Sequence, residues 1–189
     1  MPHRQPLLDI LDSYTPSNHD EAGELHMFKY FVRENSDCFE RSNLIAHVTA
    51  SSWIVTEDLS YVLLNFHRKL NKWMQFGGHA DGDPDIYTVA IKESQEETGL
   101  TSLRLFQKEP LDVGLRFLHE HSGVPEHVHL DVCFICIADM NQLLQHSERE
   151  SERLKWVPLG EVKDYIRPED NNCQRFLEKT MKLAKLRAA

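Results

Sequence analysis

The stretch Gly77-Gly78-His79-Ala80-Asp81-Gly82-Asp83-Pro84-Asp85 followed by Ile86-Tyr87-Thr88-Val89-Ala90-Ile91-Lys92-Glu93-Ser94-Gln95-Glu96-Glu97-Thr98-Gly99-Leu100 constrains this chain more than any other. It reads as a glycine loop feeding one helix. Asp83 or Asp85 serves as N-cap, Pro84 suits the first helical position, and Gly99 is the natural left-handed stop. Glu93, Glu96 and Glu97 stand at i, i+3 and i+4, so a helix puts all three carboxylates on one face, with roots about 5–6 Å apart. They repel one another, and they occupy the last turns, where the helix dipole disfavours anions. Each penalty is on the order of 0.3–1 kcal/mol, and Lys92 is the one nearby cation in sequence to offset them. A divalent cation would remove both. Carboxylate oxygens without Cys or His among them suit Mg²⁺ or Mn²⁺ better than Zn²⁺.

A solvated acidic helix end is the simpler reading of Glu-x-x-Glu-Glu alone. The context argues against it, because a glycine pair precedes the helix at the spacing where a loop would approach the same metal, and Gly99-Leu100 closes it. Together these residues resemble the Nudix box, Gly-x5-Glu-x7-Arg-Glu-U-x-Glu-Glu-x-Gly-U with U aliphatic. Gly78, Glu93, Glu96, Glu97, Gly99 and Leu100 match, whereas Pro84 replaces the first Glu, Lys92 the Arg and Ser94 an aliphatic residue. Asp83 or Asp85 is placed to substitute for the missing carboxylate. Lys92 keeps a charge without the planar fork that grips a carboxylate bidentately.

The resemblance implies an α/β fold, a Nudix-type α/β/α sandwich with a mixed β-sheet. It also implies hydrolysis of a nucleoside diphosphate linked to another group. Glu93, Glu96 and Glu97 would then hold the Mg²⁺ or Mn²⁺, one of them doubling as base. A backbone carbonyl at Gly77 or Gly78 would complete the shell, and Lys92 would orient Glu93. The similarity is wider than the box. His47-Val48-Thr49-Ala50-Ser51, His67-Arg68-Lys69-Leu70, Trp73 and Gly77 to Gly82 resemble a group of Nudix proteins with an N-terminal helical segment, over a span from about Leu7 to Val162.

A chain of 189 residues is long enough for one well-buried core and short for two, so the expectation is a helical extension over 1–42 packed on a main domain over 43–189. The formal net charge of −9 argues against a nucleic-acid-binding surface. The start lacks an apolar leader, and no stretch approaches the roughly 18 apolar residues of a membrane span, which gives a cytoplasmic protein as the expectation. The cysteines Cys38, Cys133, Cys136 and Cys173 form no disulfide framework. Cys133-x-x-Cys136 lies in an apolar strand pattern, where residues three apart face opposite sides, so core packing explains it better than zinc or redox chemistry.

In order, residues 5–14 and 18–35 read as helices, the second with Ala22, Leu25, Phe28, Phe31 and Val32 at helical spacing. That aromatic stripe suits packing on the main domain or a homodimer contact. Ile45–Thr56 and Tyr61–Phe66 read as strands and Leu103–His121 and His127–Ala138 as two long strands, while Glu150–Leu159 resembles the closing strand and helix start of Nudix domains. A short helix over Leu159–Tyr165 and a last one over Asp170–Arg187 follow, the latter packing through Phe176, Leu177, Met181, Leu183 and Ala184.

Candidate substrate contacts flank the box. Arg68, Lys69 and Lys72 lead into the glycine loop and could meet phosphate oxygens, or could belong to a polar hairpin turn. His79 sits in the loop itself. His127-x-His129-x-Asp131 alternates, so the three share one strand face, as a metal site of two His and one Asp, as a lining of the substrate cleft, or as a solvent-facing stripe. Asp131, with Glu120 and Glu126 behind it, is the candidate extra carboxylate near the metal. Two other readings stand beside the hydrolase. One is a module that holds a nucleotide diphosphate without cleaving it, and the other is a Nudix-type isomerase using a cleft cysteine.

Overall fold

In the computed structural model, which describes residues 2–120, 123–145 and 151–188, the sheet is built outward from β1, Ala46–Val55. All ten of its residues are buried, as suits a central strand covered on both faces. β1 runs parallel to β7 (His127–Ile137) from Ala46 opposite Val128 to Val55 opposite Ile137. On its other side β1 changes partner. Thr49 to Ser52 pair with β4 (Phe76–His79), while Ile54 and Val55 pair with β2 (Tyr61–His67). The sheet therefore forks beside β1. β2 continues into a hairpin with β3 (Lys72–Met74) and pairs on its far edge with β8 (Ser151–Pro158).

Strand alternation sends the apolar side chains to two cores. Val48, Ala50 and Ile54 of β1 and Leu130, Val132, Phe134 and Cys136 of β7 meet α1 (Gln5–Ser13), α2 (His19–Glu34) and α3 (Ile86–Thr98) on one face. Trp53, Val55, Cys133, Ile135 and Ile137 meet Cys173, Phe176 and Leu177 of α4 (Asn171–Ala188) on the other. The result is an α/β/α sandwich. Cys133 and Cys136 accordingly lie in different cores.

The N-terminal helices form where capping and periodicity put them. Asn18 caps α2 by accepting from the Glu21 N–H at 2.9 Å. Leu7, Leu8, Leu11, Leu25, Phe28 and Val32 are buried in the first core. Ala22, expected on that face, is exposed, and Glu21 is buried in its place. Its carboxylate accepts from Tyr14, Ser17 and Lys179, which makes a buried acid tolerable.

The long strand expected over Leu103–His121 is instead two pieces, β5 (Arg104–Leu105) and β6 (Asp112–Leu118), both antiparallel to β7. Pro110 explains the break, since it has no N–H to donate to the ladder. Bonding resumes at once, the Leu111 N–H donating to Cys133 O at 2.8 Å. His121, Ser122 and Glu150, included in the expected strands and loop, lie outside the described residues. After β8 comes a 3-10 turn, Leu159–Asp164, where a short helix was expected. On α4, Met181 is 38% exposed and Cys173 and Thr180 take buried positions.

Candidate functional site

The glycine loop and α3 meet at the fork in the sheet. Asp85 caps the helix, accepting from the Thr88 N–H at 3.2 Å and its hydroxyl at 2.7 Å. Pro84 thus precedes the cap and does not occupy the first helical position as the sequence suggested. Asp83 stiffens the same turn by accepting from the Asp85 N–H at 2.9 Å. Gly99, at φ 71°, ends the helix in the left-handed conformation. Ser94 costs little in the helix interior, because its hydroxyl donates to Ala90 O at 2.7 Å.

The three glutamates have unequal surroundings. Glu97 is 4% exposed. One oxygen accepts from the Gly77 N–H of β4 at 3.0 Å and the other from the Asn65 amide of β2 at 2.8 Å. Its carboxylate therefore bridges the two strands that part from β1. Glu93 lies under the loop, so close that a Cβ added at Gly78 would overlap its carboxylate. Glu96 is exposed and pairs with Lys92, Nζ to Oε1 3.8 Å. Gly77 adopts φ +143°, and a Cβ there would strike the β1 backbone at Ala50 and Ser51. The loop backbone at Gly77 and Gly78 thus packs directly on Glu97 and Glu93, while Glu96 stands at the surface; Gly77, Gly78, Glu93, Glu96 and Glu97 could hold a hard cation only by drawing closer together around it.

The other residues singled out in the sequence lie elsewhere. Lys72 Nζ is 2.5 Å from Asp170 Oδ2, an ion pair at the start of α4. Arg68 is exposed in the turn between β2 and β3. Asp131, 4% exposed, accepts from Thr49 Oγ1 at 2.7 Å, Ser51 Oγ at 2.6 Å and Arg116 Nη2 at 2.5 Å. By strand alternation it faces the α4 side with Cys133, whereas Asn65 and Glu97 belong to the α3 side with Leu63. Asn65 itself was not legible as a site residue. Its only signal was an amide within the apolar run Tyr61–Phe66.

The NUDIX domain family model matches residues 46–177. The chain belongs to the Nudix family. It is a Nudix hydrolase, acting on pyrophosphate bonds. Among solved structures, a C. elegans Ap4A hydrolase in a binary complex aligns at 19% identity with a TM-score of 0.56, covering 73% of this chain and 97% of that one. A Nudix hydrolase from Clostridium perfringens aligns at 21% identity, TM-score 0.54, covering 72% and 97%. The E. coli dihydroneopterin triphosphate pyrophosphohydrolase aligns at 16% identity, TM-score 0.53, covering 71% and 95%. At such identities the likeness is one of fold. A search of curated protein sequences finds no match. Among the described residues no helix is long and apolar enough to cross a membrane.

Four histidines, His79 of the glycine loop among them, gather on the α4 side of the sheet. His47 of β1, His79 of β4, and His127 and His129 of β7 have ring centroids 4.9–5.0 Å apart in five pairings. Burial holds His129 down to about 2 and His79 to about 4, helped by neighbouring cationic groups, and it lowers His47 as well. These three rings are therefore neutral near pH 7. The sequence grouped His127 and His129 with Asp131; the structure replaces Asp131 by His47, opposite His129 in the parallel ladder.

Proposed function

We propose that this Nudix hydrolase cleaves the diphosphate of a nucleoside diphosphate linked to another group, using Mg²⁺ or Mn²⁺ held by Glu93, Glu96 and Glu97. The observation that carries the reading is the bridging of Glu97 between Gly77 and Asn65, with Glu93 beneath Gly78. A divalent cation held there would supply charge to offset that of the leaving phosphate and would lower the pKa of a water. Asn65 and the Gly77 N–H fix the direction in which the Glu97 oxygens point. Glu96, exposed at the mouth, is open to a substrate-borne cation, and one glutamate of the three serves also as proton acceptor. Arg68, on the exposed turn before the loop, meets phosphate oxygens in this reading, whereas Lys72 is held by Asp170, and His79, His129 and Asp131 face the other side of the sheet from Glu97. Residues 1–42 are read as an extension of the Nudix domain over 43–189, since Leu7, Leu11 and Phe28 share its core.

A panel of nucleotide sugars, dinucleoside polyphosphates and nucleoside triphosphates, each with Mg²⁺ or Mn²⁺, tests this. The expected result is release of product from one class, with Glu97→Gln lowering turnover by about a hundredfold or more. A second reading, a module that binds without cleaving, draws support from Lys92, whose ammonium pairs with exposed Glu96 and cannot grip a carboxylate bidentately. Saturable binding without release across the panel would favour the module. Rearrangement of an isoprenoid diphosphate without release would favour an isomerase.

A further inference from the structure

We propose that His47, His127 and His129, with His79 at their edge, form a second metal site, built of imidazole and selective for a Zn²⁺-like transition-metal ion over Mg²⁺. One ring nitrogen from each of the first three lies within 4.8 Å of the others, the one group of three or more metal-capable side chains among the described residues that converges so closely.

The ring orientations are those of ligands. His47 Nδ1 is 3.0 Å from Asn43 O, and His127 Nδ1 is 2.8 Å from Pro125 O. A carbonyl only accepts, so both rings carry their proton on Nδ1 and turn a lone pair outward from Nε2. This carbonyl anchoring of the far nitrogen is the usual support of a metal-bound histidine. His47 is 2% exposed, and among the described residues its buried Nε2 has no hydrogen-bond partner, an unfavourable state that a bound cation taking the lone pair would relieve. His127 Nε2 lies 3.1 Å from His129 Nε2. Two nitrogens bound to one tetrahedral Zn²⁺ at 2.0–2.1 Å stand about 3.3 Å apart, so little movement is needed. A hydrogen bond between His129 and His127 would satisfy that pair alone and leave His47 as it is.

Three imidazole ligands favour zinc, copper, nickel or cobalt over the hard ions that suit glutamates. Zinc is the member that asks for no redox partner. The site joins β1, β7 and, through His79, the strand β4 that carries Gly77 and Gly78. Its occupancy would therefore fasten the loop backbone against which Glu93 and Glu97 pack.

The test uses the full-length protein, stripped with chelator. Zn²⁺ titrated in the presence of excess Mg²⁺, in competition with a chromophoric chelator, should bind once per chain. Co²⁺ should give the visible absorption of a tetrahedral nitrogen site. His47→Gln and His129→Ala should weaken Zn²⁺ binding by about a hundredfold or more, since loss of a ligand exceeds the 10–100-fold cost of losing an outer-shell partner. Glu97→Gln should leave it unchanged, which keeps this site apart from the proposed hydrolytic one. If the buried His47 variant fails to fold, His127→Gln at the half-buried start of β7 makes the same demand, read as loss of the Zn²⁺-induced rise in Tm. Absence of a stoichiometric Zn²⁺, binding that survives all three histidine changes, or binding abolished by Glu97→Gln would each overturn the proposal.

Discussion

Asn65 on β2 donates its amide to Oε2 of Glu97 on α3 at 2.8 Å, and this single contact ties the acidic helix to the far arm of the forked sheet. Asn65→Leu keeps the volume of the site and removes one of the two donors that aim the Glu97 carboxylate. The substrate need not touch Asn65, so KM should change little. Turnover at subsaturating Mg²⁺ should fall by about 10–100-fold, the range typical of losing a partner that orients a metal ligand. Steady-state kinetics across a Mg²⁺ titration checks this, and turnover like that of the unaltered protein at every Mg²⁺ level would remove Asn65 from the mechanism.

Gly77 and Gly78 should respond differently to the same substitution. At Gly78 an added methyl meets the end of the Glu93 side chain, which can swing aside. Gly78→Ala should fold with a Tm within a few degrees of the parent and lose most of its turnover, because the displaced carboxylate is a proposed ligand. At Gly77 the methyl meets the backbone of Ala50 and Ser51, and φ is +143°. Gly77→Ala should therefore cost about 1–3 kcal/mol of stability, or several degrees in Tm for a chain of this length. Calorimetry beside an activity assay separates the two outcomes.

How much of this was legible in the sequence depends on how local each feature is. The Gly99 stop and the i, i+3, i+4 glutamates are set by neighbouring residues and could be read directly. Asp85, Pro84 and the break at Pro110 were a matter of one or two positions, where a cap or a missing N–H decides. Asn65 and His47 were different. Each looks like one polar residue in an apolar strand until the register is known, because the partners come from 32 residues away for Asn65 and from β7 for His47. Glu21 shows the same limit, since its burial is licensed by Lys179 at a separation of 158 residues.

That last pairing belongs to an ionic cluster that pins α4 across β6 to the N-terminal helices. Lys179 Nζ lies 2.5 Å from Asp112 Oδ1, 2.6 Å from Tyr14 Oη and 3.0 Å from Glu21 Oε2, and Arg175 joins Asp112 at 2.7 Å and Glu24 at 2.9 Å. Burial pushes the Glu21 carboxyl up, but the Ser17 N–H and Lys179 outweigh it and hold it below its ordinary 4.5. A carboxyl depressed in the fold stabilises fully above its unfolded value, and loses that contribution as pH falls through the folded one. Lys179→Met should cost about 3–5 kcal/mol at pH 7, since it leaves Glu21 and Asp112 short of a cation. The gap between parent and variant should narrow progressively below about pH 4.5. Urea unfolding of both proteins from pH 7 to pH 3 measures it, and a gap that stays constant with pH would deny Glu21 this role.

The cysteines decide between hydrolysis and the isomerase reading, which needs a thiol exposed to the cleft. Cys38, Cys133, Cys136 and Cys173 are all 0% exposed. Burial raises their thiols, Cys38 and Cys136 to about 11, Cys173 to about 12 and Cys133 well above the ordinary 9.0. The thiolate is the reactive form, so burial and the raised pKa both oppose attack on a solvent-borne reagent or a substrate. Cys133 and Cys136 face different cores and cannot pair with each other without dismantling the strand. An aromatic disulfide reagent at pH 8 should therefore leave the native protein almost unlabelled and titrate all four thiols once it is unfolded in guanidinium. Cys136→Ala should lower stability by on the order of 1 kcal/mol through the small cavity it leaves, with kcat unaltered. Rapid labelling of Cys133 or Cys136 in the folded protein, or loss of turnover in Cys136→Ala at unchanged stability, would reopen a thiol-based mechanism.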